Sequence, residues 1–296
     1  MYRHINPIVA AAIVLFLWGI STTPLAAVEP DASTASEAGP PRPALLRAVD
    51  DALAGQRYVE AEALLNRLAE QSEGERGEID LMRAEWLIAA GRPADAVPLL
   101  AAIDSEERLQ CRKLSAEITA LVQISRFDGA ERLAASAEKV CSEDPVFWRS
   151  AGRLHLARDR GPAAVVAFGK SLSLDPANVG LRGDLGVALI AAGDAREAAS
   201  VLSALLLLDP DQTEARINLD YANGMLGRRP SRRSSDSDLV WSRRLQYAGL
   251  GALRANHAPL AEALLGQALI ARPRHDEQLW QQYAAVTGRD GERGAH

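Results

Sequence analysis

The sequence predicts an all-α fold, a helical-repeat solenoid built as a right-handed superhelix of antiparallel helix pairs. Pro176 and Pro210 stand 34 residues apart, and matching residues run back from each. Ala151-Gly152, Ala164 and Phe168 precede the first; Leu185-Gly186, Ala198 and Leu202 precede the second at the same offsets. Apolar residues make up 48% of the chain but aromatics only 5%, so Ala and Leu must build the core, as closely packed helices require. A period of this length with small residues at fixed places marks stacked helix–turn–helix repeats, each burying its apolar face against its neighbours.

With each repeat numbered 1 to 34, repeats starting at 77, 111, 145 and 179 share one register. Gly or Ala at place 8 and Ala at place 20 let the two helices of a pair approach closely. Large residues at places 4, 7, 11 and 24 fill the remaining space. Proline at place 32 stops the second helix and biases Asp175 or Asp209 before it out of the helical region. An earlier repeat over about 42–75 fits after a one-residue shift, with Tyr58, Ala61, Leu65 and Leu68 on its second helix.

The register then breaks. A first helix is expected from Thr213 to Leu226 without a partner, closing an array over 42–227. Residues 228–238 are Arg/Ser-rich and read as a solvated linker, or as a segment for a phosphate-rich partner, a membrane surface or the cell wall. The frame resumes at 242, where Ala248-Gly249, Ala261, Leu265, Ala268 and Pro273 recover their places. Residues 239–287 thus form a last repeat and a capping helix, followed by a disordered tail over 288–296.

The N-terminus differs in kind. Arg3 and His4 precede an apolar run from Pro7 to Ile20, and small residues lead to Ala26-Ala27. This describes a signal peptide over 1–27, cleaved after Ala27, with an uncleaved inner-membrane anchor over 7–20 as the alternative. A disordered leader follows over 28–41. The expected location is the periplasm, and membrane contact is expected only through an uncleaved N-terminal segment.

No sequence signature of catalysis is present: no P-loop, dinucleotide fingerprint, nucleophile elbow or zinc-protease helix. The five histidines are scattered, and His155 falls at a core place. No enzyme activity, metal or cofactor is expected, and a formal net charge of −6 gives no argument for nucleic acid. Trp148 and Phe168 occupy core places, while Trp241 and Trp280 fit either core or surface. Cys111 and Cys141 fall at places 1 and 31 of one repeat, at the same end of an antiparallel pair. They form either a disulfide in an oxidising compartment or two buried thiols.

The stretch Asp184-Leu185-Gly186-Val187-Ala188-Leu189, followed by Ala192-Gly193-Asp194, resembles the tetratricopeptide repeat (TPR) family. With Asn218-Leu219, Ala222 and Gly227 after Asp209-Pro210, the chain also resembles TadD-type proteins of Flp (tight-adherence) pilus assembly, from whose lipoprotein form it departs in lacking a lipobox cysteine. The resemblance implies a non-enzymatic scaffold that binds protein components of an envelope pilus or secretion machine. A repeat module of another envelope system, such as polysaccharide export, and an envelope glycan-acting enzyme are the alternatives. In such arrays the first helices line a groove through places 2, 5, 9 and 12. Those places hold Arg112, Ser115 and Thr119, then Arg149 and Arg153, then Val187 and Ile190, then Ile217 and Tyr221. The expected surface is a basic patch bordering an apolar one, suited to an acidic peptide with an apolar anchor; the alternative is that its arginines pair with neighbouring glutamates.

Overall fold

The computed structural model describes residues 41–71, 76–104 and 107–288. The expected signal peptide, nearly all of the leader and nearly all of the tail lie outside them. Among the described residues there are fourteen helices and no strand. The chain divides into two compact blocks at Asp159. The N-terminal block holds α1 (Arg42–Ala54), α2 (Tyr58–Glu70), α3 (Arg76–Ala89), α4 (Pro93–Ala102), α5 (Glu107–Gln123), α6 (Phe127–Ala137) and α7 (Pro145–Ala157). The C-terminal block holds α8 (Gly161–Leu174), α9 (Val179–Ala192), α10 (Ala195–Leu208), α11 (Thr213–Met225), α12 (Asp238–Arg254), α13 (Ala258–Ala271) and α14 (Glu277–Thr287). Within each block consecutive helices pack against one another.

Helix ends are written locally. Asp144, Asp194, Ser237 and Asp276 cap α7, α10, α12 and α14 by accepting from the backbone N–H three residues on, at 2.7, 3.2, 3.3 and 3.0 Å. Such caps satisfy donors that the first helical turn leaves open. Pro176 and Pro210 end α8 and α10, and their carbonyls accept from Arg182 and Arg216 at 3.0 and 2.8 Å, the same bond one repeat apart.

The turn inside each repeat shows the period in the backbone. Left-handed residues stand at Gln56, Gly91, Ser125, Asp159, Gly193, Gly227 and Asn256. Gly91 to Gly227 proceed in steps of 34; the first step is one residue longer and the last, to Asn256, is 29. The one-residue shift expected for the first repeat is therefore a longer connection, and the break after 227 removes five residues from a repeat without removing its turn.

Pair packing follows the predicted places. A Cβ on Gly186 would lie 2.6 Å from Leu202 Cδ2, and one on Gly249 would lie 2.9 Å from Leu265 Cγ, so place 8 meets place 24 in both pairs. Trp148 and Phe168 are buried as expected.

Two glycines should separate steric from backbone effects. Gly186→Leu forces volume against fully buried Leu202; overpacking costs about 1–3 kcal/mol, more than the roughly 0.8 kcal/mol of helix propensity gained. A Cβ on Gly193 meets nothing within 4 Å, but its φ is +89°, so Gly193→Ala should cost about 1 kcal/mol through backbone strain alone. Thermal melts should show both losses; unchanged melting of Gly186→Leu would contradict the place 8 contact.

Candidate functional site

The N-terminal block turns the first helices of its repeats toward one another through ions. Glu78 on α3 accepts from Arg42 on α1 at 3.1 Å and from Arg108 on α5 at 3.3 Å. About two turns further along α3, Glu85 takes a bidentate bond from Arg112 on α5, at 2.7 and 2.6 Å. Asp50 on α1 completes this second ladder at 3.7 Å from Arg112. Burial pushes the Glu85 carboxyl up, against the opposing pull of Arg112. Burial likewise raises Asp50, with Asp51 and Glu78 adding to it and Arg112 opposing. The hydrogen bond to Glu85 in turn holds Arg112 above its ordinary value. The ladders knit three successive repeats together.

This geometry changes the expected groove. Arg112 is committed to Glu85 rather than open to a ligand. Ser115 is buried, and Thr119 donates its hydroxyl back to the Ser115 carbonyl at 2.8 Å. Arg149 and Arg153 are half-buried on α7 and already engaged with partners. The basic members belong to the N-terminal block and the apolar members to the C-terminal block. Val187, Ile190, Ile217 and Tyr221 are not exposed anchors: they are 6%, 6%, 1% and 1% exposed. The reason is α12. Ile190, Ile217 and Tyr221 form one apolar cluster with its Tyr247 and Leu250.

Helix α12 also supplies the partner that α11 was expected to lack. The two run side by side in the same direction. Arg243 reaches Glu214 at 3.4 Å near their N-terminal ends. Further on, Gly224 faces the Ala248 backbone and Gly251 the Tyr221 backbone; a Cβ on either glycine would lie 2.0 Å from the opposing carbonyl oxygen. No larger residue permits so close a crossing. On its other side α12 pairs with α13 through Gly249, and Ser242 donates to the Ala268 carbonyl at 2.7 Å. Arg254 at its end reaches the Ala191 carbonyl on α9 at 2.9 Å.

Residues 227–237 therefore make the return journey that a second helix makes in other repeats. They are a strap, largely exposed to solvent but latched at the buried Asp236. Asp236 is buried and accepts from the Arg233 backbone N–H at 2.9 Å and from the Arg244 guanidinium. Arg244 also binds Asp220 on α11, at 2.6 Å through Nε. Arg233 ties the strap to the Pro210 carbonyl at 3.1 Å, and Arg232 ties it to Asp238 at 2.6 Å. Burial pushes the Asp220 carboxyl up, while Arg244 and Arg216 pull it down. Burial works against the Arg244 charge as well, but Asp220 and Asp236 outweigh it and hold the guanidinium more firmly protonated than usual. Trp241, half-buried, stacks on Arg244 with its ring centre 5.5 Å away. Trp280 lies half-buried between His275 and Tyr283.

The signal for this latch lay at place 8 of the repeat from 213. Other repeats hold Ala84, Ile118, Gly152, Gly186 or Gly249 there; this one holds Asp220. A carboxylate at that place rejects an apolar second helix and calls for a cation.

Cys111 and Cys141 bring their Sγ atoms within 2.11 Å, with Cα atoms 5.6 Å apart, joining the two ends of one repeat. Among the described residues no group of three or more His, Cys, Asp or Glu side chains is placed to hold a metal, and no helix is long and apolar enough to cross a membrane.

Residues 155–218 match the family model of the tetratricopeptide repeat. A comparison with curated proteins gave no match. The chain is similar in structure to a chain of the APC/C hetero-tetramer Cut9–Hcn1, with a TM-score of 0.57 at 13% identity over 84% of this chain. That match covers 50% of the Cut9–Hcn1 chain, so this protein spans half of its length. A tetratricopeptide repeat protein from Parabacteroides merdae is similar with a TM-score of 0.46 at 12% identity, covering 83% of this chain and 98% of that one.

Breaking the latch from one side should be costly. Arg244→Ala leaves two buried carboxylates without their cation and should lose about 3–5 kcal/mol, read as a fall in denaturation midpoint. The pH dependence has a defined sign. The folded state holds the Asp220 proton more tightly than the unfolded chain does, so this group makes stability fall as pH rises from the ordinary value of 3.8 through its raised value. Asp220→Asn should remove that fall; an unaltered pH profile would contradict it.

Proposed function

We propose that this tetratricopeptide-type repeat protein is a non-enzymatic protein-interaction scaffold of the bacterial cell envelope, an assembly factor for Flp/Tad-type pili or a related secretion system. The observation that carries the protein-binding part is the helix-pair array itself. Its side chains are spent on joining repeats, through ion ladders and glycine crossings, and stacked helices of this kind offer their remaining faces to a partner. The fold likeness to a chain of the Cut9–Hcn1 hetero-tetramer, a protein complex, points the same way. The envelope part rests on the N-terminal sequence, with its basic start, apolar run and Ala26-Ala27, and on the juxtaposed Cys111 and Cys141. The pilus assignment rests on the resemblance of residues 148–227 to TadD-type proteins.

Peptide mapping of the protein from its native host tests location and redox state together. Export predicts a mature N-terminus at Val28 and a Cys111–Cys141 peptide that alkylates only after reduction. In the chain-entropy model this bond contributes about 3–4 kcal/mol, so Cys141→Ser should melt lower under oxidising conditions and match the wild type under reducing ones. Retention of residues 7–20 on an otherwise periplasmic protein selects the anchored form. Two free thiols and an intact Met1 in the cytoplasm would sink the envelope reading. Deleting the gene should abolish surface pilin while pilin synthesis continues; normal pili would remove the Flp/Tad assignment.

A further inference from the structure

The repeat without a second helix leaves its two neighbours with an unusual surface. Place 29 of the second-helix segment faces solvent and is polar in two other repeats, where it is Lys139 or Ser173. On α10 and α13, the two helices that flank the missing one, it is Leu207 and Ile270, which are 84% and 88% exposed. Leu208 beside the first is 62% exposed. On the other side a cleft of about 480 Å³ opens between Trp241, Ile270 and the Arg232–Asp238 pair. Bulky apolar side chains at such exposure, on both sides of one feature, are the mark of a contact surface.

The strap runs between these walls, since Arg233 holds it to the end of α10 and Arg232 to the start of α12. Its charges do not cancel. Asp236 is consumed by Arg244 and Asp238 by Arg232, and Asp211 stands 3.9 Å from Arg233. Arg228 and Arg229 stay exposed and give the strap a positive surplus. Burial lowers the pKa of the neighbouring Arg216, and the positive charges of Arg233 and Arg244 add to the effect. The absent element is itself a helix, and its flanking helices are 14 residues each, about 21 Å at helical rise.

We propose that this surface docks an amphipathic helix of a partner protein, its apolar face on Leu207, Leu208, Trp241 and Ile270 and its acidic residues reaching toward Arg228 and Arg229 at the far end of the strap. The partner stands beside the strap as a second helix in trans. This is helix recognition by apolar anchors with charge setting orientation. The inference rests on the protein-binding reading above and gives it a location on the chain.

The test uses the full chain and a fluorescein-labelled, end-blocked helical peptide of about 14 residues, the length of α10, with Leu on one face and Glu on the other. A matched peptide with Lys in place of Glu and vesicles of phosphatidylglycerol serve as the comparisons. Fluorescence anisotropy should show saturable binding of the Glu peptide. The Leu207→Glu/Ile270→Glu and Arg228→Glu/Arg229→Glu variants should each bind it at least about tenfold more weakly, a loss of roughly 1.4 kcal/mol, with unchanged circular dichroism. The Lys peptide should bind the wild type about as weakly. Undiminished binding by both variants would place the peptide elsewhere, overturning this surface while leaving a protein-binding scaffold intact. Absence of binding to the wild type overturns the proposal. So does surface-dependent sedimentation with vesicles in place of peptide binding, which would assign the patch to a membrane.

Discussion

Arg244 carries the C-terminal block on a charge removed from water. Only 5% of its side chain is exposed, as are those of Asp220 and Asp236. Moving a guanidinium out of water costs several kcal/mol, and the attraction of its partners offsets that only with close, hydrogen-bonded geometry. Two carboxylates supply it here, one from α11 and one from the strap, while Trp241 covers the guanidinium face. The arrangement dictates what surrounds it. With Asp220 where a pair of helices would meet, an apolar second helix has no place, and the chain must return by another path. The strap provides that path because Asp236 comes with it. Once it returns, Gly224 and Gly251 allow α12 to lie against α11 at backbone contact. The ion triad thus fixes which helix neighbours which, a use of buried charge for specificity more than for stability.

This closure also decides what the inner faces can do. In the C-terminal block α12 covers the apolar side chains of α9 and α11 that would otherwise meet a ligand. In the N-terminal block the arginine and glutamate of facing helices satisfy one another. Binding capacity moves to the outer side chains that packing has left apolar and exposed, above all where the helix is missing.

Much of the fold was legible because it is periodic. Gly186, Ala198 and Pro210 each repeat a residue one period earlier, and the left-handed turn residues keep the same step through Gly227. The C-terminal break was legible as a break, from the Arg/Ser run, but not as a structure. A segment without an apolar period gives no face to match, and its order comes from Asp236 and Arg233 finding partners distant in sequence. Asp220 stood at a place reserved for small or apolar residues, and that mismatch was the available clue. The burial of the apolar groove residues was hidden for a related reason. Places 5 and 9 line a groove only where the repeat keeps its own second helix, and Ile217 and Tyr221 lie in the repeat that lacks one. For Arg112 the residue type was right and its partner, Glu85, was already in the neighbouring repeat.

Hydrogen exchange across residues 213–254 tests the central claim most directly, since it reads whether strap and helices form one unit. The account predicts that α11 and α12 exchange together with matched protection, and that the Arg233 amide, bonded to Asp236, is protected well above its exposed neighbours in the strap. It further predicts that Asp236→Ala exposes the Arg233 amide and lowers protection in both helices at once. A strap that exchanges throughout like an unstructured linker, or an α11 that opens independently of α12, would contradict it.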